Sequence, residues 1–226
     1  MKFIRRHWYN LALPIAAVAV LWIFFGHLSV VQVILLLNFV ALALHQFEEY
    51  GWPGGEPWII NEAMMPSGSR PDRYPLNQNN AFIINVPMAW TLYLLPVFFP
   101  DRVWLGLAPA VFGFAQFGMH GIATNKKLKT FYNPGLAAVV LGHIPLGIWY
   151  LVTVYSRHMI TLWDWVFAIL YLVLFISIGM RKIGYGLLAD KDSTYPFAAE
   201  EMERWQRRGH LARIRNAESD TRDSSA

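Results

Sequence analysis

The sequence has no cysteine and few charged residues. The absence of cysteine from all 226 residues excludes disulfide bonds, thiolate metal ligands and a cysteine nucleophile. Only 15% of the residues are charged and 55% are hydrophobic, whereas about a quarter of an average soluble domain is charged. The composition therefore favours an integral membrane protein over a soluble domain.

The hydrophobic residues are grouped into six segments, each long enough to cross a bilayer as a helix of about 20 residues. The first segment resembles a signal peptide, but residues 25–29 contain no small-x-small cleavage site, so we interpret it as a retained helix. We predict an all-α integral membrane fold, a six-transmembrane-helix bundle within residues 1–184. The predicted spans are about Asn10–Phe25, Val30–Glu49, Asn80–Phe99, Val103–Thr124, Pro134–Tyr155 and Leu162–Met180.

The basic residues alternate between the predicted loops, and the chain has a formal net charge of +4. The opposite loops carry only Arg102 and Arg157, so the positive-inside rule predicts that both termini are cytoplasmic. We attribute the basic charge to topology and to anionic membrane lipid, and we expect no nucleic-acid partner. The basic residues that share the cytoplasmic side are Lys2, Arg5, Arg6, Arg70, Arg73, Lys126, Lys127, Lys129, Arg181 and Lys182.

Two segments lie outside the predicted spans. The loop Gly51–Leu76 is rich in Gly, Pro and Trp, and we expect it to fold back over the cytoplasmic mouth of the bundle. In the tail, residues 185–226, Phe197, Met202 and Trp205 have the spacing of a cytoplasmic amphipathic helix that lies on the membrane surface. Beyond Asn216 the composition predicts disorder.

A histidine and two glutamates occupy one turn at the end of the second span. At 100° per residue, Glu48 and Glu49 flank His45 on one face of the helix. A carboxylate in hydrocarbon costs on the order of 2.5–3.5 kcal/mol at the bilayer centre, and no lysine or arginine lies inside a predicted span at this depth. The available partners are therefore a protonated histidine, a proton on one carboxylate or a metal ion.

Polar side chains on three other spans lie in the same layer of the bilayer. His120 lies about five residues from the cytoplasmic end of the fourth span, Asn85 about five residues into the third and His143 about nine into the fifth. Asn38 and Gln116 lie nearby. We interpret Asn38, Asn85 and Gln116 as supporting polar residues, and we expect Asn38 and Gln116 to form hydrogen bonds between helices. His143 is as consistent with helix packing as with a functional role.

The clustering of imidazoles and carboxylates allows two kinds of chemistry. In the first, His45, Glu49, His120 and His143 bind a divalent metal ion, for which zinc, iron and manganese are all suitable, and Glu48 is the general base. In the second, no metal binds, and Glu48 and Glu49 share a proton and act as a catalytic acid and base.

The motifs resemble those of a known family. The chain resembles the HXXEE domain family of bacterial integral membrane proteins in four features. They are His45-x-x-Glu48-Glu49, the sequence Trp-Pro-Gly-Gly at 52–55, His120 and the sequence Tyr-Asn-Pro-Gly at 132–135. The resemblance covers about Leu35–Leu146 and implies a bacterial inner-membrane location. That family commonly has an aromatic residue after the paired glycines, where this chain has Glu56. The family has no established activity, so the resemblance supports the site and leaves its function open.

We expect a membrane-embedded, metal-dependent enzyme that acts on a lipid-like or amphipathic substrate, as a hydrolase or an acid–base isomerase. The alternative is a small proton- or ion-coupled transporter that uses the same His/Glu cluster. A purely structural role is disfavoured by the unpaired carboxylates. The sequence does not indicate an oligomeric state.

Overall fold

The computed structural model describes residues 2–207, except for the side chain of Lys2. The part of the tail beyond Arg207, including the stretch predicted to be disordered, lies outside the described residues. Within 2–207 the chain is helical without a strand, and six helices are long and apolar enough to cross a membrane. They are α1 Phe3–Phe25, α2 Val30–Tyr50, α3 Gln78–Phe98, α4 Val103–Leu128, α5 Leu136–Ser156 and α6 Leu162–Leu187.

The six predicted spans are confirmed, and the first and last helices extend furthest beyond their predicted bounds. Helix α1 begins seven residues before Asn10, and α6 continues seven residues beyond Met180. Both extensions carry basic residues, which neither break a helix nor belong in hydrocarbon, so the predicted apolar boundary stops short of the helical one. The chain is a multi-pass membrane protein by the length and composition of these helices.

Helix α2 is the centre of the bundle. Of its most apolar window, 61% is buried inside the protein, against 11% for α6. Ser29 begins α2 with a capping box, in which its side chain accepts from the Gln32 backbone N–H and the Gln32 side chain accepts from that of Ser29. The residues of α2 that line the main core are Val31, Ile34, Leu35, Leu36, Phe39 and Leu42.

The loop between α2 and α3 packs on one end of the bundle, which also holds Tyr50, Gln78, Leu128 and Leu136 and is called the site end below. Asn61 fastens this loop, because its amide donates to the carbonyls of Pro71 and Leu76 and accepts from the Leu76 N–H. The loop itself contains a helical turn at Glu56–Trp58, continued by Ile59–Met64.

The tail also packs on the site end. Residues 199–207 are helical, as the amphipathic pattern predicts. Phe197 is buried in a cluster with Trp8, Tyr9 and Tyr50, and Met202 packs against the same cluster. These two apolar side chains therefore contact the protein, whereas the sequence pattern predicts a membrane-facing surface. Periodicity identifies an apolar face but not the surface that covers it.

Candidate metal centre

Three buried side chains converge inside the site end. Nε2 of His45 lies 3.2 Å from Oε1 of Glu49, and Nε2 of His120 lies 3.3 Å from the same oxygen. One ligand atom from each residue lies within 4.8 Å of the other two. Two imidazoles and one carboxylate in this arrangement could hold a metal ion.

The three side chains come from two helices. His45 and Glu49 are four residues apart on α2, so they lie on one face, one turn apart. His120 lies in Phe117–Thr124, where α4 is π-helical. Such widened turns occur frequently at functional sites. The rings of His45 and His120 are nearly perpendicular, with centroids 4.9 Å apart.

Each histidine has an inner nitrogen, Nε2, which faces Glu49, and an outer nitrogen, Nδ1, which faces away from it. The partner of the outer nitrogen of His45 determines whether that nitrogen carries a proton. Nδ1 lies 3.0 Å from the carbonyl oxygen of Gly135. A carbonyl oxygen can only accept a hydrogen bond, so Nδ1 carries the proton and donates it. In the neutral imidazole, Nε2 then presents its lone pair toward Glu49.

The outer nitrogen of His120 is fixed by a chain of amides. The Asn133 amide nitrogen donates to the His120 carbonyl at 2.6 Å and to Oδ1 of Asn125 at 2.7 Å. Both partners are oxygens, so Oδ1 of Asn133 is the atom that faces Nδ1 of His120, at 2.7 Å. Nδ1 therefore donates, and Nε2 of His120 also presents a lone pair to Glu49.

The inner faces of the cluster thus bring together two imidazole lone pairs and a carboxylate oxygen. Three hydrogen-bond acceptors at these distances repel one another unless a cation or additional protons lie between them. In metal-binding histidines, the nitrogen that does not bind the metal usually donates a hydrogen bond to an oxygen, as both Nδ1 atoms do here. The donor set and its surroundings fit a divalent ion.

Gly135 packs directly against the rings of both histidines. A Cβ added there would lie 2.8 Å from Cε1 of His45 and 2.8 Å from Cε1 of His120. Its φ of +96° also belongs to the left-handed region that favours glycine. The last residue of the Tyr-Asn-Pro-Gly motif is therefore dictated by contact with both rings, in addition to the turn that begins α5.

Glu48 points away from the cluster to the first turn of α5. Its carboxylate accepts from the Tyr132 hydroxyl at 2.7 Å and from the backbone N–H groups of Ala137 at 3.1 Å and Ala138 at 2.9 Å. These amides are among the unpaired donors of a helix N-terminus, where a carboxylate is stabilising. The structure therefore separates the adjacent glutamates, with Glu49 at the cluster and Glu48 at a helix end.

A further carboxyl group, that of Glu56, is buried beside the site. Glu56 is 7% exposed, and its Oε2 has no hydrogen-bond partner within residues 2–207. Burial, and next the charge of Glu49, raise the pKa of Glu56 to about 8. The turn before it is fastened to α2 by the Gly54 N–H, which donates to the Glu48 carbonyl at 3.0 Å.

His143 lies next to the cluster without joining it. Its ring centroid is 5.7 Å from that of His45, and its Nδ1 donates to Oδ1 of Asn38 at 2.8 Å. Nε2 of His143 and the hydroxyl of its neighbour Tyr93 have no hydrogen-bond partner in the described part of the chain. Asn38 therefore forms the predicted helix-to-helix bond, and that bond orients His143.

The remaining predicted polar residues lie elsewhere. Asn85 shares the expected depth, but its backbone carbonyl accepts from the Gln46 amide at 2.7 Å. Gln46 in turn accepts from the Trp90 indole at 2.9 Å, which ties α2 to α3. Gln116 is half-buried and lies outside the cluster. Sequence reasoning did not identify Gln46 as a buried polar residue, although it adjoins His45.

Comparisons with known proteins identify a family and no characterised relative. A family described as "Protein of unknown function with HXXEE motif" matches residues 36–150, just over half of the chain. No curated protein and no solved structure matches. The matched region contains all three converging side chains and both residues that hold their outer nitrogens. The chain therefore belongs to the HXXEE family, as its motifs predict.

Proposed function

We propose that this protein is a membrane-embedded, metal-dependent enzyme in which His45, Glu49 and His120 hold one divalent ion. The proposal depends on one observation: both imidazoles have their outer nitrogens committed to oxygen acceptors and direct their inner nitrogens to one carboxylate oxygen. Two histidines and one glutamate form the protein ligand set of many catalytic zinc sites, which keep a further position for water or substrate. Iron and manganese also suit this donor set.

A divalent ion at this site would act as a Lewis acid and polarise a carbonyl or phosphoryl oxygen of the substrate. The proton-transfer group of the reaction is then Glu56. Its unpartnered, buried oxygen can take or give a proton, whereas both oxygens of Glu48 already accept hydrogen bonds. The base that the sequence pattern assigned to Glu48 is accordingly assigned to Glu56. Hydrolysis of an ester or phosphoester and acid–base isomerisation are the reactions that these groups serve best.

The depth of the cluster supports an amphipathic, lipid-like substrate. His45 lies five residues before the end of α2, or roughly 7–8 Å along its axis. A polar headgroup reaches this depth while its chain stays in hydrocarbon. The basic loops at the site end support an orientation in which this end and both termini face the cytoplasm, in a bacterial inner membrane.

The proposal is tested by the metal content of the protein purified in detergent without added metal. We expect about one equivalent of zinc, iron or manganese by mass spectrometry, and its loss in His45→Ala and in His120→Ala. His27→Ala is the matched control, because His27 is exposed between α1 and α2. A wild-type protein that carries no metal and gains none on dialysis against all three ions would overturn the proposal and favour the proton-coupled transporter.

A further inference from the structure

The tail places an arginine on the last carbonyls of the helix that carries His45 and Glu49. Nη1 of Arg204 donates to the carbonyl oxygens of Tyr50 and Gly51, at 2.7 Å each. The last carbonyls of a helix have no partner within it, and a cation there is stabilised by the helix dipole. One guanidinium therefore caps α2 immediately after the motif.

The same segment lies directly on the turn that carries Glu56. A Cβ added at Gly54 would lie 2.9 Å from Cδ of Arg204, and one added at Gly55 would lie 3.0 Å from Cβ of Trp205. Both glycines also have positive φ, +71° and +119°. The paired glycines allow the turn to close and let the tail approach it at backbone distance.

The position of Arg204 is supported by contacts elsewhere in the tail. The Phe197 N–H donates to the Asp72 carbonyl at 2.7 Å, and the Tyr195 carbonyl accepts from the Gln78 N–H at 3.0 Å. Phe197 is only 5% exposed. These contacts hold the segment on the site end independently of the arginine, so Arg204 can be altered without releasing the tail.

We propose that Arg204 is a positioning residue of the site: it fixes the end of α2 and, together with Trp205, closes the Gly54-Gly55 turn over the cluster. Access to His45, Glu49 and His120 from the site end then passes beneath residues 204 and 205. The inference rests on the proposed function for the identity of what is bound. The cover itself rests only on the contacts of the tail.

Because the chain has no cysteine, the cover can be tested with a single introduced thiol. Glu56→Cys places that thiol beneath the tail, and its reaction rate with a charged maleimide is measured in native membranes. We expect at least a tenfold faster reaction when Arg204→Ala is added, and partial reversal with Arg204→Lys, whose ammonium can still bind a carbonyl. Equal rates with and without the arginine would overturn the inference.

Arg207→Ala is the matched control. Arg207 lies on the same helical segment, is exposed, and donates to Glu203 rather than to α2. We expect its replacement to leave the thiol rate unchanged. An increase as large as that of Arg204→Ala would mean that any loss of tail charge loosens the segment, which contradicts a specific role for Arg204. If Arg204→Ala fails to fold, Arg204→Gln undergoes the same measurement with the same two outcomes.

A second measurement separates this inference from the proposed function. Wild-type protein, Arg204→Ala and Arg207→Ala, all with native Glu56, are loaded with zinc. Removal of the metal by a chelator is then followed over time. We expect faster removal from Arg204→Ala alone. If the wild type binds no zinc, the proposed ion is wrong, and the thiol rates decide the cover alone. If zinc binds and Arg204→Ala changes neither rate, the cover is wrong and the metal centre stands.

Discussion

Two buried histidine groups lie side by side in this bundle, and they differ first in what faces their Nε2 atoms. In the first, His45 and His120 donate their Nδ1 protons to Gly135 and Asn133 and direct Nε2 to Glu49. In the second, His143 donates its Nδ1 proton to Asn38 in the same way, but Nε2 meets no carboxylate within residues 2–207. An oriented imidazole is common to both groups, whereas the carboxylate of Glu49 makes the first group a candidate metal centre.

The largest expected effect comes from removing that carboxylate. Glu49→Gln leaves the two imidazoles without an anionic partner, so we expect metal content to fall from about one equivalent to near zero. His143→Ala should leave metal content within twofold of the wild type, because the ring lies beside the cluster. Mass spectrometry of the purified variants measures both. Loss of metal in His143→Ala would return His143 to the ligand set that its depth suggested.

The next largest effect distinguishes the two asparagines that accept a hydrogen bond from a histidine Nδ1, which are Asn133 and Asn38. Asn133→Leu removes the acceptor that orients His120, and loss of such a partner typically costs about 10–100-fold in metal affinity. Asn38→Leu removes the equivalent acceptor of His143 and should leave the affinity unchanged. Competition titration with a fluorescent zinc chelator gives both values. Equal losses in the two variants would show that the histidine groups act as one site.

The two groups also differ in nearby charge, because Glu56 interacts electrostatically with Glu49 and His120. The pKa of Glu56 is raised by folding from its ordinary value to about 8, so the native state retains a proton that the unfolded chain releases above about pH 4.5. Stability from this group is complete below about pH 4.5 and is lost as the pH rises through 8. In chelator-treated protein, Glu56→Gln should therefore raise the apparent melting temperature by several degrees at pH 9 and by little at pH 5. A difference independent of pH would contradict the raised pKa.

The last expected effects are on stability alone, and they come from two tyrosine hydroxyls. Tyr93→Phe, beside His143, removes a hydroxyl without a hydrogen-bond partner among residues 2–207, and it should raise stability by about 1 kcal/mol. Tyr132→Phe, beside the first group, removes a donor to the Glu48 carboxylate and should lower stability by about 1.5–3 kcal/mol. Thermal unfolding in one detergent measures both. Destabilisation by Tyr93→Phe would mean that its hydroxyl has a bound partner, such as a water.

The sequence predicts the fold and the cluster for different physical reasons. Span lengths follow from bilayer thickness, and all six spans are confirmed. The depth of His45 and His120 follows from their distance to the helix ends, so the sequence places them in one layer, and the structure brings them into one cluster. Depth alone also groups them with Asn85, whose backbone instead binds Gln46.

The remaining details depend on helix rotation and on loops, which carry no periodic signal. Glu48 and Glu49 are equivalent on a helical wheel, and the packing of α2 against the first turn of α5 determines which of them faces His120. Asn133 lies in a connecting turn, where its residue type is explained equally well by turn formation. The position of Arg204 on α2 joins residues about 150 apart in the chain, and charge pattern cannot predict such a contact.

Gly135 also sets an order of assembly during synthesis of the chain. The pair His45 and Glu49 emerges from the ribosome with α2, and His120 follows with α4. The Nδ1 proton of His45 has no acceptor, and the two rings have no surface to rest on, until Gly135 begins α5. A nascent chain that contains only the first four helices therefore lacks a completed cluster. The proposed ion would therefore load only after insertion of α5, late in biogenesis.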